Sequence, residues 1–428
     1  MSGALSHLRI LDLTRVVSGP WCTQMLADLG ADVIKIERMD VGDDARHFGP
    51  PWVGGRNGPT RDASYFTSVN RNKRSLAIDI ATEDGQQLVR DLSRQCDVMI
   101  DNFKVGDLDR YGLGYDDIRA VNPAIVYCSI TGYGLDGPYA TRAGYDVIAQ
   151  AEGGLMSING HPDDVPGGGP VKVAIAVSDI VAGLNATVAI LAAIEHRNRS
   201  GKGQRIDIAL LDSIVHFGSN QIVSMFASGE VPLRWGNQHP NLTPYQVFRS
   251  LDGHFVLGAG NDAQYCRLCG VLGREDLGVD PRFRTIGDRN KNRQVLILEL
   301  QVIMNNQTTS HWVERFAEVG VPCAPINDYK KVFEHPQVRH RKLRVDQVHT
   351  GGGVSSTIAN PIRFSETPVE YRIAPPILGE HTNELLAELL GKSSSEVEAL
   401  ARNGIIGRPA FCLDSPGASE HDDQQDQL

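Results

Sequence analysis

The chain has 428 residues, of which 41% are apolar and 22% charged, and its net charge is −10 at neutral pH. That length accommodates two domains with sizeable cores. The acidic balance, with no basic stripe interleaved with aromatics, argues against nucleic acid as a partner. Seven cysteines (22, 96, 128, 266, 269, 323, 412) lie mostly in apolar runs, as reduced core thiols do, rather than in a disulfide framework.

Leu8–Leu13 reads as a buried strand. Gly19 and Pro20 open a helix that Gly30 closes, and Asp32–Glu37 is the next strand, making a β-α-β unit. The pattern recurs with a strand at Ser75–Ile80, a helix at Thr82–Gln95 whose apolar stripe is Leu88, Val89, Leu92 and Cys96, and strands at Asp97–Ile100 and Ala124–Ile130. Such alternation predicts an α/β fold with a Rossmann-like parallel sheet whose ligands meet the carboxyl ends of the strands. The loop after the first strand is Thr14-Arg-Val-Val-Ser-Gly-Pro20, not Gly-x-Gly-x-x-Gly, which disfavours a nicotinamide enzyme.

Asn70–Arg74 concentrates three positive charges, read as a solvated edge in preference to an anion site. Arg38, at the end of the second strand, stands where a ligand phosphate would lie. Arg142–Gln150 begins another helix, in which Asp146 is read first as a cap, with Tyr145 and Asp146 lining a pocket as the alternative. Asp179 stands between a small-residue strand, Val173–Ser178, and a very apolar helix, Ile180–Ile194, where it is either an N-cap or a nucleophile at the positive end of the helix.

From about residue 230 the pattern changes to a hairpin, Tyr245–Ser250 and His254–Leu257 about Asp252-Gly253, followed by helices to Phe316 that complete a smaller α+β domain. Gly258, Ala259, Gly260 and Asn261 after the hairpin read equally as a mobile flap and as a plain strand exit. Cys266 and Cys269 form a lone C-x-x-C, read as two buried thiols on one helical face, so no metal is assigned. A helix at Thr382–Leu390 returns to the first domain, giving expected boundaries of 1–225, 226–330 and 331–408 with a disordered tail over 409–428. No uninterrupted apolar run approaches the roughly 20 residues of a membrane span. The early first strand leaves no room for a signal or transit segment, so a cytoplasmic protein is expected.

Taken in order, Arg9-Ile-Leu-Asp-Leu-Thr-Arg15, Ala27–Arg38, Val69–Ser75, Asp101-Asn-Phe103, Ala143-Gly-Tyr-Asp146, Ser178-Asp179, Gly320–Pro325 and Leu378–Thr382 resemble the class III CoA-transferases, the CaiB/BaiF family. The resemblance runs from about residue 5 to residue 406. It implies an interlocked homodimer of open rings, with the large domain built from both chain ends and CoA used as a substrate, with no tightly bound cofactor.

It further implies that Asp179 is the nucleophile and that Val17, Ser18, Arg38, Ile78, Ile80, Asn102, Phe103 and Arg110 contact CoA, with Tyr145 and Asp146 beside them. Gly258–Asn261 would cover the acyl end, although Gly-Ala-Gly-Asn departs from the glycine run of some members. Asp179 is expected to be ionised at neutral pH without a partner base, the helix terminus helping to keep it so. Arg234–Pro240 and Pro244–Phe248 look most like members that use succinyl-CoA and a dicarboxylic acid such as glutarate. Arg46 and His239 are candidates for the acceptor's second carboxylate, with a solvated surface role as the alternative. The related α-methylacyl-CoA racemases use a histidine where this chain has Tyr145, and a phenol with a reference pKa near 10 is a poor base. A non-catalytic CoA-binding protein is the remaining alternative.

Overall fold

The computed structural model describes residues 3–53 and 62–407, so the expected tail and Cys412 lie outside the described residues. The chain falls into two compact units. One comprises the segments up to Leu155, Val173–Ser219 and from Arg341 onward, and the other Met156–Lys172 with Asn220–His340.

The first unit is built on β1 (Arg9–Asp12), α1 (Ser18–Asp28), β2 (Asp32–Glu37), β3 (Lys73–Ala77), α2 (Glu83–Ser93), β4 (Val98–Asp101), α3 (Tyr115–Val121), β5 (Val126–Thr131), α4 (Asp146–Glu152), α5 (Val177–Ser200), β6 (Arg205–Ala209) and α6 (Leu210–Phe217). The six strands pair in parallel in the order β3-β2-β1-β4-β5-β6. Strand order therefore reverses between β1 and β4, where the carboxyl ends open a crevice. Successive strand residues point to opposite faces. Ile10, Val33 and Ile100 join a core with Leu26, Ala182 and Ile190 of α1 and α5. Leu11, Ile34 and Met99 join one with Leu88 and Leu92 of α2 and Leu385 of the C-terminal helix Thr382–Leu390.

Three expectations for this unit need correction. Residues 173–176 form no strand, and α5 already begins at Val177; the edge of the sheet is taken by β6, which pairs with β5. The Asn70–Arg74 run is neither a solvated edge nor an anion site. Arg71 grips the Asp28 carboxylate with two bonds (3.0 and 2.6 Å), fully buried Lys73 reaches Asp12 at 3.2 Å, and Arg74 pairs with Asp32 and Glu388 (2.6 Å each). Finally, α5 is by length and composition apolar enough to cross a membrane, with mean hydropathy 1.9 in its most apolar window. Its interspersed Gly, Asn and Thr hid this from a reading of uninterrupted runs, and half of that window is buried in the unit.

The second unit holds α7 (Ser219–Ser228, with Ser219 at the boundary), β7 (Tyr245–Arg249), β8 (His254–Gly258), α8 (Asp262–Val271), α9 (Arg293–Met304), α10 (Thr309–Glu318) and β9 (Cys323–Pro325). The expected hairpin forms, with Tyr245 opposite Gly258, and β9 pairs with β8. Phe248, Phe255, Leu268, Leu296 and Phe316 form its core. The C-x-x-C pair is split: Cys269 is buried but Cys266 is exposed, because the two thiols fall at the edge of the buried stripe of α8.

Candidate functional site

At the strand-order reversal, the loop after β1 and the segment after β4 are laced together. The Arg15 N–H donates to Asn102 Oδ1 (2.9 Å), and Asn102 Nδ2 donates to the Arg15 carbonyl (2.8 Å). Beside this knot lies a small cleft lined by Arg15, Arg38, Ile78, Ile80 and Phe103 among others. Four of the residues expected to meet a ligand thus converge from β2, β3 and β4. Arg15 was not singled out from the sequence; a cation in the first loop of a parallel sheet was the available signal. Its guanidinium lies over the Phe103 ring at 5.1 Å, and Asp44 pairs with both Arg15 (3.2 Å) and Arg38. Two guanidiniums sharing one carboxylate beside apolar walls suit a ligand with an apolar body and anionic groups. Arg110 does not line this cleft; its side chain is 70% exposed and pairs with Asp107 at 2.5 Å. Asn102 serves the loop backbone, while Val17 is the buried N-cap residue of α1 and Ser18 its first residue.

Asp179 is the third residue of α5, not its N-cap, which is Ala176. The cap is supplied from α4. Asp146 Oδ1 accepts the Ser178 N–H at 2.8 Å, and its other oxygen accepts from Gln150 Nε2 at 2.8 Å. Asp146 is thus a cap, as expected, but of α5 rather than of its own helix; the N-cap of α4 is Tyr145, which is 70% exposed. This arrangement relieves Asp179 of any capping duty and places a second carboxylate beside it.

Burial pushes the Asp179 carboxyl up to about 7, the Asp146 charge pushes the same way, and a hydrogen bond from the Ser18 hydroxyl opposes both. The expectation of an ionised Asp179 left out this burial and the Asp146 charge, both of which work against the carboxylate form. Tyr65, 38% exposed, faces the same carboxylates: burial raises its phenol, and so do the charges of Asp179 and Asp146. Nothing in the Tyr-Phe-Thr sequence around it signalled this position.

Ser18 reaches Asp179 because α1 packs closely on α5 at Gly183. A Cβ there would lie 2.5 Å from the Ser18 carbonyl oxygen and 3.2 Å from the Trp21 ring. Gly183 follows Asp179 by one helical turn, so its missing side chain places the start of α1 beside the carboxylate.

The two candidates for a second carboxylate fare differently. Arg46 is only 4% exposed and spends its guanidinium on Glu37 (2.7 and 2.8 Å), Asp62 (2.8 Å) and the Pro376 carbonyl (3.1 Å), so it is neither an acceptor contact nor a surface residue. The sequence places it just past a strand, and only the tertiary fold brings Glu37 and Asp62 around it. His239, in the second unit, is half-buried; burial and Arg293 hold its imidazole below the ordinary range, which makes it a poor cation.

In the same unit neither Gly258 nor Gly260 adopts a positive φ. Gly258 ends β8, where a Cβ would meet the Tyr245 ring at 2.9 Å, and Ala259 donates its N–H to the Pro244 carbonyl (2.9 Å). The Gly260 N–H donates to Gln264 Oε1 (2.8 Å), and Asn261 caps α8 by accepting the Gln264 N–H (2.8 Å). Gly258 thus serves close packing rather than an unusual backbone angle, while a Cβ at Gly260 would make only an ordinary contact with Gln264 Oε1 at 3.5 Å.

The model of "CoA-transferase family III" matches residues 5–382. A succinate–glutarate CoA-transferase of Agrobacterium fabrum is 45% identical over 390 residues, 90% of this chain and 95% of that protein. A succinyl-CoA:glutarate CoA-transferase of Mus musculus is 41% identical over 94% of this chain and 90% of its own length. Among solved structures, a CaiB/BaiF family protein from Brucella suis superposes with a TM-score of 0.81 at 42% identity, covering 91% of this chain and 100% of that one.

Proposed function

Since the chain belongs to CoA-transferase family III and is an enzyme of the transferase class, we propose that it moves CoA from succinyl-CoA to a dicarboxylic acid such as glutarate, with Asp179 as the covalent carrier. The observation that carries this reading is the placement of Asp179. It stands on the first turn of α5, free of capping duty, approached by Ser18 at the end of the loop that begins at the Arg15 and Arg38 cleft. The relatives at 45% and 41% identity are named a succinate–glutarate CoA-transferase and a succinyl-CoA:glutarate CoA-transferase, which supports this pair of acids.

In this reading the ionised Asp179 oxygen adds to the succinyl thioester carbonyl. The C–S bond breaks, CoA leaves as the thiolate, and a succinyl-aspartyl anhydride forms. The thiolate then attacks the aspartyl carbonyl, releasing succinate and giving an aspartyl-CoA thioester. A carboxylate of the acceptor attacks that thioester, and the expelled thiolate attacks the acceptor side of the new anhydride, restoring Asp179. No proton is gained or lost over the cycle. Arg15 and Arg38 would hold anionic groups of CoA, and Phe103, Ile78 and Ile80 its apolar parts.

The protein is further proposed to work as a homodimer. Helix α7 buries none of its residues in the chain, leaving Val223 62% and Phe226 75% exposed, an apolar surface of the kind that subunits cover.

The test is incubation with succinyl-CoA and a set of free acids including glutarate, with new CoA thioesters identified by mass. Glutaryl-CoA is expected from the wild type and none from Asp179→Ala, which should still retain CoA. Transfer surviving in Asp179→Ala would remove Asp179 as the carrier.

A further inference from the structure

Val16 is a β-branched residue in the left-handed region, at φ +70°, a conformation that glycine adopts freely and valine only when its surroundings impose it. The imposition is visible. Its N–H donates to Asp43 (3.0 Å to Oδ1, 3.3 Å to Oδ2), whose carboxylate is held by Lys35 at 2.9 Å, both side chains being fully buried. Lys35 also donates to the Thr14 carbonyl (2.8 Å), and Asn102 clasps Arg15 from both sides. Three successive residues are thus fastened from three different directions. Two positions after Val16 comes Ser18, whose carbonyl oxygen packs against Gly183, one turn along from Asp179, and whose hydroxyl favours the charged form of Asp179.

We propose that Asp43 is a positioning residue for the transfer reaction: by accepting the Val16 N–H it holds the loop between β1 and α1 in the conformation that sets the Ser18 hydroxyl against Asp179. This rests on the reading of Asp179 as the carrier. Lys35 fixes the carboxylate in place, and Asp44, one residue on, bridges Arg15 and Arg38 at the cleft, so the same turn serves both the ligand cleft and the nucleophile. The groups facing Asp179 are Ser18 from α1, Asp146 from α4 and Tyr65. Of these, only Ser18 favours the charged form, so its misplacement has a directional signature.

The experiment compares pH profiles of kcat/KM for wild type, Ser18→Ala, Asp43→Asn and the double variant, with succinyl-CoA and glutarate and with Asp179→Ala as control. Loss of the Ser18 bond leaves burial and Asp146 unopposed. The acid limb should therefore move to higher pH by at least about half a unit in either single variant, and no further in the double variant, because both act on one bond. A limb unmoved in Asp43→Asn while Ser18→Ala moves it, or shifts that simply add, overturns the proposal. A limb unmoved in Ser18→Ala overturns it as well. If Asp43→Asn fails to fold because Lys35 loses its buried partner, Val16→Pro takes its place. It removes the N–H and fixes φ near −65°, and the same limb shift is expected. Transfer in Asp179→Ala would instead defeat the carrier reading, a result distinct from all of these.

Discussion

Asp179 is a carboxyl whose surroundings work against its charge, and that conflict has measurable consequences. Its folded-state value of about 7 lies above the ordinary Asp value of 3.8, so between these pH values the native state holds more protons than the unfolded chain, and stability falls as pH rises through that window. Asp179→Asn, which cannot ionise, should therefore raise the melting temperature at pH 8 and leave it unchanged near pH 3. An equal gain at both pH values, seen in thermal scans, would refute a desolvated carboxylate. The same titration sets activity: kcat/KM should fall about tenfold per unit below pH 7, since only the carboxylate attacks. An acid limb near 4 would mean that Asp179 is far better solvated than its position implies. Burial does not decide the balance by itself, since Asp101 is also raised, to about 6, whereas Glu37 goes the other way. Glu37 is buried as well, yet the Arg46 guanidinium and Lys35 bring it down to about 2, which marks it as a structural partner rather than a reactive group.

At the scale of elements, the site depends on how closely two helices approach. Helix α1 starts with Ser18 and α5 with Asp179 on its first turn, and Gly183 lets them touch. Gly183→Ala would put a methyl group 2.5 Å from the Ser18 carbonyl oxygen, where backbone must yield. We expect it to cost about 1–3 kcal/mol of stability, seen as a lower midpoint in urea, and to lower kcat by displacing Ser18. Unaltered kcat would show that the Ser18 contact tolerates movement of the helix. The sheet contributes the other half of the placement. The 3-2-1-4-5-6 order puts the loops after β1 and β4 side by side, so residues 14–18 and 101–103 meet although some 85 positions separate them.

For the whole molecule, the first unit takes residues from both chain ends, and its sheet is tied to its C-terminal segment: Ile78 bridges Ile406, and the Gly407 N–H donates to the Ala77 carbonyl. Truncation before the helix Thr382–Leu390 would thus expose the Leu76 and Ile78 face of the sheet rather than remove an appendage. The exposed apolar face of α7 bears on assembly. Light scattering coupled to gel filtration should find a dimer for the wild type and a smaller species for Phe226→Glu. A monomeric wild type would contradict the proposed homodimer.

Much of this protein was legible in one dimension. The alternation of strand and helix and the hairpin about Asp252-Gly253 depend on periodicity and local turn chemistry, which neighbouring residues determine by themselves, and the ordered motifs carry the family resemblance directly. Arg38 was placed near a ligand by standing at a strand end of the parallel sheet, whereas Ile78, Ile80 and Phe103 came with the family resemblance. What the chain order left open was partnership. Arg46 and the Asn70–Arg74 run read as available cations, yet they are occupied because Glu37, Asp62, Asp28, Asp12 and Asp32 come to them from elsewhere in the fold. Asp146 caps a helix that begins 31 residues later, Tyr65 and Arg15 enter the site unannounced, and burial raises the Asp179 carboxyl. Each of these depends on charges and desolvation supplied by residues distant in sequence, so only the tertiary structure decided them.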